Sequence, residues 1–438
     1  MRDRTILDNL GNADGIDRRG FLKCMAWAGT GALWVISGGI ARSYGLSKII
    51  GGDPLGHRDA LLASGDFSFV QISDSHIGFA KDANPDVVGT LQACIAKINA
   101  LHGMPSFVIH TGDLTHMSKP NEFDTLNQVL QGASTDKVFF VPGEHDVIGD
   151  NGKQFLDRFG KGTQGDGWYS FDASGVHFIG LVNVLNLRAG GLGLLGADQL
   201  EWLERDVRGL SSSTPIVVFA HIPLWSVYPD WGWGTDDATQ ALTYLKRFGS
   251  VTVLNGHIHQ TLQKIEGNIT FHTAMSTAFP QPPPGGAPSP GPMKVPAERL
   301  RTLLGLTAVN YVEGNHSLAL VQSTLAGGSS GENRMDDQES GRRTSTVRQG
   351  DVDIVNFRFS PRMLTVPAGT KVTWTNRDDV PHTVTSVNKT FSSPMLDTEE
   401  SYSKVFNEPG TFDYFCAMHP KMTGTVLVVA HEAGASGQ

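Results

Sequence analysis

The chain has 438 residues, too many for one hydrophobic core, so two or three domains are expected. Its formal net charge of −9 lacks the basic footprint of nucleic-acid binding, and no nucleic-acid partner is expected. Fifteen His against three Cys favour His-rich metal sites over a disulfide framework.

Residues 1–45 read as an export signal. Asp17-Arg18-Arg19-Gly20-Phe21-Leu22-Lys23 precedes an uncharged run from Cys24 to Ala41, which four glycines interrupt. Gly39 and Ala41 offer small residues for cleavage. The segment resembles a twin-arginine signal and implies a periplasmic or otherwise exported protein. The other reading is a membrane anchor, because the run is about the minimum length to span a bilayer. Membrane contact is expected only if the signal stays uncleaved.

Residues 66–325 alternate between two periods. Strands are expected at 66–73, 107–110, 137–141, 216–220 and 251–254, and helices at 87–101, 121–130, 197–210 and 237–248. Residues 168–183 read as a hairpin. This alternation predicts helices covering the faces of a sheet. Five of the strands run into loops bearing Asp and His. They are Asp74-Ser75-His76, Gly112-Asp113, Gly143-Glu144-His145-Asp146, Ala220-His221 and Gly256-His257-Ile258-His259. Ligands gather at the carboxyl ends of strands in open α/β sheets, so five such loops can meet and hold metal. His257 and His259 are two apart and can face one side.

In order, these segments resemble the calcineurin-like metallophosphoesterases over residues 66–325. The resemblance implies a four-layer α/β/β/α sandwich and a dinuclear metal centre that hydrolyses phosphate mono- or diesters. By motif, Asp74, His76 and His259 would bind one metal and Asp113 would bridge. His221 and His257 would bind the second, with Glu144 contributing. His145 would act on a phosphoryl oxygen or the leaving group, its ring oriented by Asp146. Mixed imidazole and carboxylate ligands suit Fe, Mn or Zn. Glu144 departs from the family pattern, which has Asn there. As a ligand it adds negative charge beside Asp74 and Asp113 and is expected to alter metal preference.

Other features read as structural. His110, His177 and His272 fit no motif and are expected as core or surface histidines. His116 lies near Asp113 on the rim. Trp225, Tyr228, Trp231 and Trp233 crowd the segment after His221, either as a core cluster under a loop or as a substrate wall. Residues 280–292 are dense in Pro and Gly and read as a stiff, extended loop.

Residues 326–350 are Gly, Ser and charge and read as a flexible linker. From 351 to 430 the period becomes two, predicting a small antiparallel all-β sandwich. Two stretches carry its chemistry: Pro381-His382-Thr383-Val384, and Tyr414 to Met422 with Cys416, His419 and Met422 three apart. A thiolate and two imidazoles in a plane, with a distant thioether, make a type 1 copper site. The domain resembles the cupredoxins of the plastocyanin and amicyanin group. The matching residues are His382, Cys416, His419 and Met422, with Phe359-Ser360-Pro361 and Pro367-Ala368-Gly369-Thr370 as framework. The resemblance implies one copper ion and electron transfer with a periplasmic redox protein. Asn376 would lie behind the thiolate and hydrogen-bond it, and Met418 would be packing. The whole chain is expected to be an exported phosphoesterase carrying a blue-copper domain. The competing expectation is a redox or metal-handling protein whose first domain binds metal without efficient turnover.

Overall fold

The computed structural model describes residues 32–37, 40–45, 67–311 apart from 102, 136 and 189, 318–326 and 350–430. Arg18, Arg19 and most of the expected linker lie outside the described residues. The chain divides into two compact units, residues 1–67 with 309–321 and residues 68–308 with 322–438. In the smaller unit, β1 (Ala32–Ser37) and β2 (Ile40–Gly45) pair as an antiparallel hairpin. Among the described residues no helix is long and apolar enough to cross a membrane.

The larger unit begins with parallel strands β3 (Phe67–Ile72), β4 (Val108–His110) and β5 (Val138–Phe140). Successive side chains on a strand point to opposite faces, and both faces here are apolar. Val70, Ile72 and Val108 pack on helices α1 (Val87–Asn99) and α2 (Pro120–Leu130), against Leu91, Cys94, Phe123 and Leu126. Phe69, Phe107 and Phe139 turn the other way, towards a second sheet. There Phe139 stacks on Phe171 at 3.8 Å and Phe107 meets Phe178 edge-on at 5.4 Å. Helix α3 (Lys153–Phe159) follows the Glu144 loop.

The second sheet contains β6 (Tyr169–Ala173), β7 (Val176–Gly180), β8 (Ile216–Phe219), β9 (Val251–Asn255), β10 (Gln263–Glu266) and β11 (Ile269–Thr273). Their order is β10-β11-β9-β8-β7-β6, with β7, β8, β9 and β11 parallel and the expected hairpin between β6 and β7. Its outer face buries Val218, Val253 and Phe271 under helices α4 (Ala197–Arg208) and α5 (Ala238–Leu245). The result is helix, sheet, sheet, helix: a mixed α/β domain with two sheets. Helix α6 (Ala297–Leu303) and strands β12 (Gly305–Tyr311) and β13 (Ala319–Thr324) come next in sequence. The aromatic segment is core. Trp231 and Trp233 pack with Ile258, and Trp225 lies 5.1 Å from Phe271.

The second domain is a β-sandwich. Its strands are β14 (Asp351–Ile354), β15 (Phe359–Ser360), β16 (Met363–Pro367), β17 (Thr370–Asn376), β18 (Thr385–Ser386), β19 (Ser401–Phe406), β20 (Gly410–Phe415) and β21 (Thr423–Val429). They form two four-stranded sheets, β15-β14-β17-β19 and β16-β21-β20-β18. Val352, Val372 and Trp374 of one sheet meet Val366, Tyr414 and Val426 of the other in a single core. The sandwich is not purely antiparallel: β14 pairs with β17, and β16 with β21, in parallel. Each pair joins strands that are not consecutive, and such a crossover permits parallel pairing where a hairpin does not.

His177 on β7 tests the electrostatics of the first domain away from its metal cluster. It lies 2.8 Å from Asp172 Oδ1 and 2.9 Å from Asp206 Oδ2. Burial opposes its charge, but the two carboxylates outweigh burial and raise its pKa above the usual value. A raised folded-state pKa stabilises the fold fully below the unfolded value of about 6.5, and that contribution fades as pH rises through the folded value. His177→Gln is therefore expected to lower stability at about pH 6 and to flatten its decline towards about pH 8, as read by urea unfolding at both.

Candidate metal centres

The loops that end these strands have unusual backbones. Asp74, His76, Asp113, His257 and His259 all have positive φ, at 53°, 41°, 51°, 71° and 52°. Left-handed backbone at a residue with a Cβ costs about 1–2 kcal/mol, and such strain concentrates at functional sites. Two motif glycines let the loops close. A Cβ at Gly143 would fall 2.0 Å from Asp113 Oδ1, and one at Gly256 would fall 2.1 Å from Ser73 Oγ.

All nine residues picked out in the first domain are buried, between 0% and 7% exposed, so their polar atoms must find partners inside the protein. Asp113 Oδ2 lies 3.3 Å from His221 Nε2 and 3.6 Å from His76 Nε2, between the two halves of the cluster. Asp74 Oδ1 is 3.4 Å from His259 Nε2 and 4.0 Å from His221 Nε2. Glu144 Oε1 approaches His257 Nδ1 at 2.8 Å, and its Oε2 approaches His221 Nε2 at 2.9 Å. The longer stem of Glu144 thus reaches the same point as the histidines.

The outer nitrogens show which atoms are free to bind. His221 Nδ1–H donates to the Thr111 carbonyl at 2.7 Å, and His259 Nδ1–H donates to that of Phe279 at 2.6 Å. A carbonyl only accepts, so once neutral each ring presents a lone pair at Nε2, the tautomer of a metal-bound histidine. Without a cation, burial opposes the charge of His221 but Asp113 and Glu144 outweigh burial and raise its pKa well above the usual value. Asp74 Oδ2, Glu144 Oε2, His221 Nε2 and both His257 ring nitrogens are buried without an aligned hydrogen bond. The short approaches around Glu144 are close in distance but not hydrogen-bonded in direction. Burying one such atom unpaired costs about 1–3 kcal/mol. The sets Asp74/His76/His259, Asp74/Asp113/His221 and Glu144/His221/His257 each bring ligand atoms within 4.8 Å of one another. Overlapping sets of imidazoles and carboxylates fit two cations.

Charge points the same way. Burial works against the charge of Glu144, yet His257 and His221 outweigh it and hold the carboxyl well below its usual pKa. Burial, and then Glu144 itself, push Asp113 well above. The protein's own groups cannot keep every carboxylate ionised here, whereas cations would.

The expected role of Asp146 needs correcting. It does not orient His145. Its oxygens accept from the backbone N–H groups of Leu114, Thr115 and Gly143 at 3.0, 2.8 and 2.9 Å, and from Thr115 Oγ1 at 2.9 Å, which braces the loop. His145 Nδ1–H donates instead to the His116 carbonyl at 2.7 Å, leaving Nε2 without a partner. Burial and the neighbouring His116 keep this ring neutral, with its pKa down at about 3. His116 is not on a rim. It is buried, stacks on His145 at 4.9 Å and lies 3.4 Å from His76 between Nδ1 atoms. Its place in Gly-Asp-Leu-Thr-His, three after Asp113, was the available signal. His110 is a core histidine bonded to Ser75 Oγ at 2.8 Å.

In the second domain, Cys416 Sγ lies 3.7 Å from His382 Nδ1 and 3.5 Å from His419 Nδ1, and the two nitrogens are 3.1 Å apart. A point about 2 Å from all three lies in their plane, a metal–ligand bond length. His382 Nε2–H donates to Asp378 Oδ2 at 2.9 Å, which leaves Nδ1 facing the sulfur. Burial raises the thiol's pKa, but His382 and His419 outweigh it and bring it down to about 4. The soft thiolate and two imidazoles fit copper. Met422 is buried, and its carbonyl accepts from the Cys416 N–H at 3.0 Å; Met418 packs on the edge of the core. Asn376 does not reach the thiolate. Its amide donates to the Val380 and Leu396 carbonyls, and the backbone N–H of Thr383 approaches the sulfur at 3.4 Å instead. Asp378 had no sequence signal beyond lying four residues before His382.

A cavity of about 710 Å³ opens between Glu144 and the copper loop at His419, with Arg188, Arg358, Arg362 and Lys421 on its walls.

Fold and clusters together define a two-sheet α/β domain of the metallophosphoesterase class joined to a small β domain whose His-Cys-His group fits copper. Residues 67–261 match the calcineurin-like phosphoesterases, and residues 335–428 match the cupredoxin-like domains. Amicyanin-alpha of Methylorubrum extorquens is 41% identical over 83 residues, 18% of this chain and 70% of its own length. Serine/threonine-protein phosphatase CPPED1 of Danio rerio is 27% identical over 229 residues, 45% of this chain and 71% of its own. A 3',5'-cyclic-nucleotide phosphodiesterase of Nostoc sp. is 23% identical over 218 residues, 48% of this chain and 79% of its own. The chain carries a calcineurin-like phosphoesterase domain followed by a domain belonging to the amicyanin-like cupredoxins.

Asp378→Asn removes the charged partner of His382 while leaving every copper-facing atom in place. Copper affinity is expected to fall about 10- to 100-fold, the usual effect of losing such an outer partner. Chelator competition measures this, and the red charge-transfer absorption of the loaded protein should survive the substitution.

Proposed function

We propose that the first domain hydrolyses phosphate mono- or diesters with two bound cations of the Fe, Mn or Zn type. The second domain carries one type 1 copper ion and exchanges electrons with a periplasmic redox protein. The carrying observation is the convergence of seven buried ligand-type side chains, two of whose histidines present Nε2 by donating Nδ1–H to a carbonyl. Bound cations would supply Lewis acidity and a nucleophile at neutral pH. Asp74, His76 and His259 would hold one and Glu144, His221 and His257 the other, with Asp113 between them.

The chain's remaining groups have separate tasks. His145, fixed by the His116 carbonyl, offers Nε2 as the atom that holds or passes a proton at the leaving oxygen. Asp146 keeps the loops of Asp113 and His145 in register. Burial excludes bulk water and strengthens every charge interaction in the site. Of the first domain's site residues Glu144 lines the cavity, so the ester would arrive from its side past Arg188, Arg358, Arg362 and Lys421, which suit an anion. One matched relative is a phosphatase and another a cyclic-nucleotide phosphodiesterase, so both ester classes belong in the assay.

Full-length protein loaded with Mn or Fe is expected to hydrolyse an aryl phosphate or a diester. His145→Ala should lower kcat about 10²- to 10⁴-fold while keeping its metals. Metal-replete protein inert across monoesters, diesters and cyclic nucleotides would leave the metal-handling reading standing instead. Glu144→Asn should change which metals are retained rather than abolish binding, as read by elemental analysis after loading from a mixture. We also propose twin-arginine export, resting on Arg18 and Arg19. Replacing both by Lys should keep the protein in the cytoplasmic fraction.

A further inference from the structure

His116 is gripped from two domains. Its Nε2 lies 2.9 Å from Oδ1 of Asp397, a residue of the cupredoxin domain between β18 and β19. A carboxylate only accepts, so His116 Nε2 carries the hydrogen, and in that tautomer of the ring Nδ1 presents a lone pair. That lone pair meets His76 Nδ1 at 3.4 Å. His76 Nδ1–H is then the donor, and His76 Nε2 is left with its lone pair facing inward. There it lies 3.2 Å from His259 Nε2 and 3.6 Å from Asp113 Oδ2, within the first ligand set. One proton arrangement satisfies the whole chain of contacts, from Asp397 through His116 to His76.

The rest of the contact is built to hold this carboxylate still. Lys81 of the first domain pairs with Asp397 Oδ2 at 2.8 Å and also reaches the Thr398 carbonyl. The Thr398 N–H donates to Asp397 Oδ1 at 2.7 Å. Burial opposes its charge, but the hydrogen bonds from His116 and Lys81 outweigh burial and hold the carboxyl well below its usual pKa. On the other side, Leu396 exchanges two backbone hydrogen bonds with the copper-site residue His382, at 3.0 and 2.7 Å. A second bridge has the same plan. Gln281 Nε2 donates to Asp379 Oδ2 of the cupredoxin domain at 2.7 Å and lies 3.3 Å from the His257 carbonyl.

We propose that Asp397, supplied by the cupredoxin domain, is a positioning residue of the phosphoesterase metal centre, fixing the tautomer and aim of His76 through His116. This rests on His76 being a ligand. A carboxylate behind a ligating histidine locks the ring and raises its basicity, and its loss costs about 10- to 100-fold in metal affinity. Here the carboxylate acts through one further imidazole and comes from a different domain. The hydrolase centre is then complete only with the copper domain docked.

The test uses the full chain in four variants: Asp397→Ala, Asp397→Asn, Lys81→Met and His76→Ala. Metal affinity is read by chelator competition with Mn, and the red copper absorption reports whether the cupredoxin domain remains folded and loaded. Asp397→Ala should weaken Mn binding about 10- to 100-fold with copper absorption unchanged. Asp397→Asn keeps an acceptor oxygen and should recover most of the loss. Lys81→Met leaves the His116 contact in place and should do less than Asp397→Ala. Wild-type Mn affinity in Asp397→Ala, beside a loss in His76→Ala, would overturn the proposal and spare the metal-centre reading. Equal losses in Lys81→Met and Asp397→Ala would also overturn it, because domain docking alone would then explain both. Unchanged binding in His76→Ala would overturn the metal-centre reading and the proposal together.

Discussion

Three carboxylates, those of Asp74, Asp113 and Glu144, share one buried space, and the first domain is arranged around that fact. Uncompensated carboxylates in a low-dielectric interior repel one another and lose their hydration. Four imidazoles surround them, but two of these have given their Nδ1–H to backbone carbonyls and in the neutral state offer only a lone pair inward. Lone pairs and anions facing one another need positive charge between them. Five left-handed residues and two glycines that admit no Cβ hold the loops in this arrangement against their own preferences. Such strain persists only where the surrounding structure over-determines it, and here two packed sheets and the helices outside them do so.

The copper cluster applies the same rule with softer atoms. His382 gives one nitrogen to Asp378 and keeps the other for the thiolate side, as His221 and His259 do with carbonyls. The partner differs in charge. A carbonyl orients a ring, whereas a carboxylate also makes it more basic. Burial alone would keep the Cys416 thiol protonated, and the two imidazoles reverse that. In both domains the group that decides chemistry lies one contact behind the atom that would touch metal.

That position explains what could and could not be read from the sequence. The strands were legible because their periods are local, and the five motifs because each follows its strand within a few residues. Cys416, His419 and Met422 share one short loop and announce themselves by spacing. The outer partners carry no local signature. The support for the His145 ring is a backbone carbonyl of His116, which no side-chain pattern can specify. Asp146 sits beside His145 in sequence, yet both its oxygens are taken by the loop backbone. Asn376 was near the thiolate by order but is occupied by two carbonyls, and a backbone N–H took its place. The parallel pairs of the sandwich depend on crossovers, which alternation of side chains does not encode. Glu144 was the reverse case. Its departure from the family pattern was plain, but whether a longer stem could still reach the histidines was a matter of geometry.

The junction between domains follows from the same physics. Covalent linkage raises the local concentration of one domain at the other, but does not by itself supply orientation. Orientation comes from Asp397 on His116 and from Asp379 on Gln281, each a buried or half-buried polar contact that loses free energy if the surfaces slide. Both contacts lie a single residue from groups that hold His382: Leu396 beside Asp397, and Asp378 beside Asp379. Short chains of contacts therefore run from His382 to the cluster of the first domain, one ending at His76 and the other at the backbone of His257. Covalent fusion alone would have made the domains neighbours; these contacts give the two candidate metal sites a shared framework.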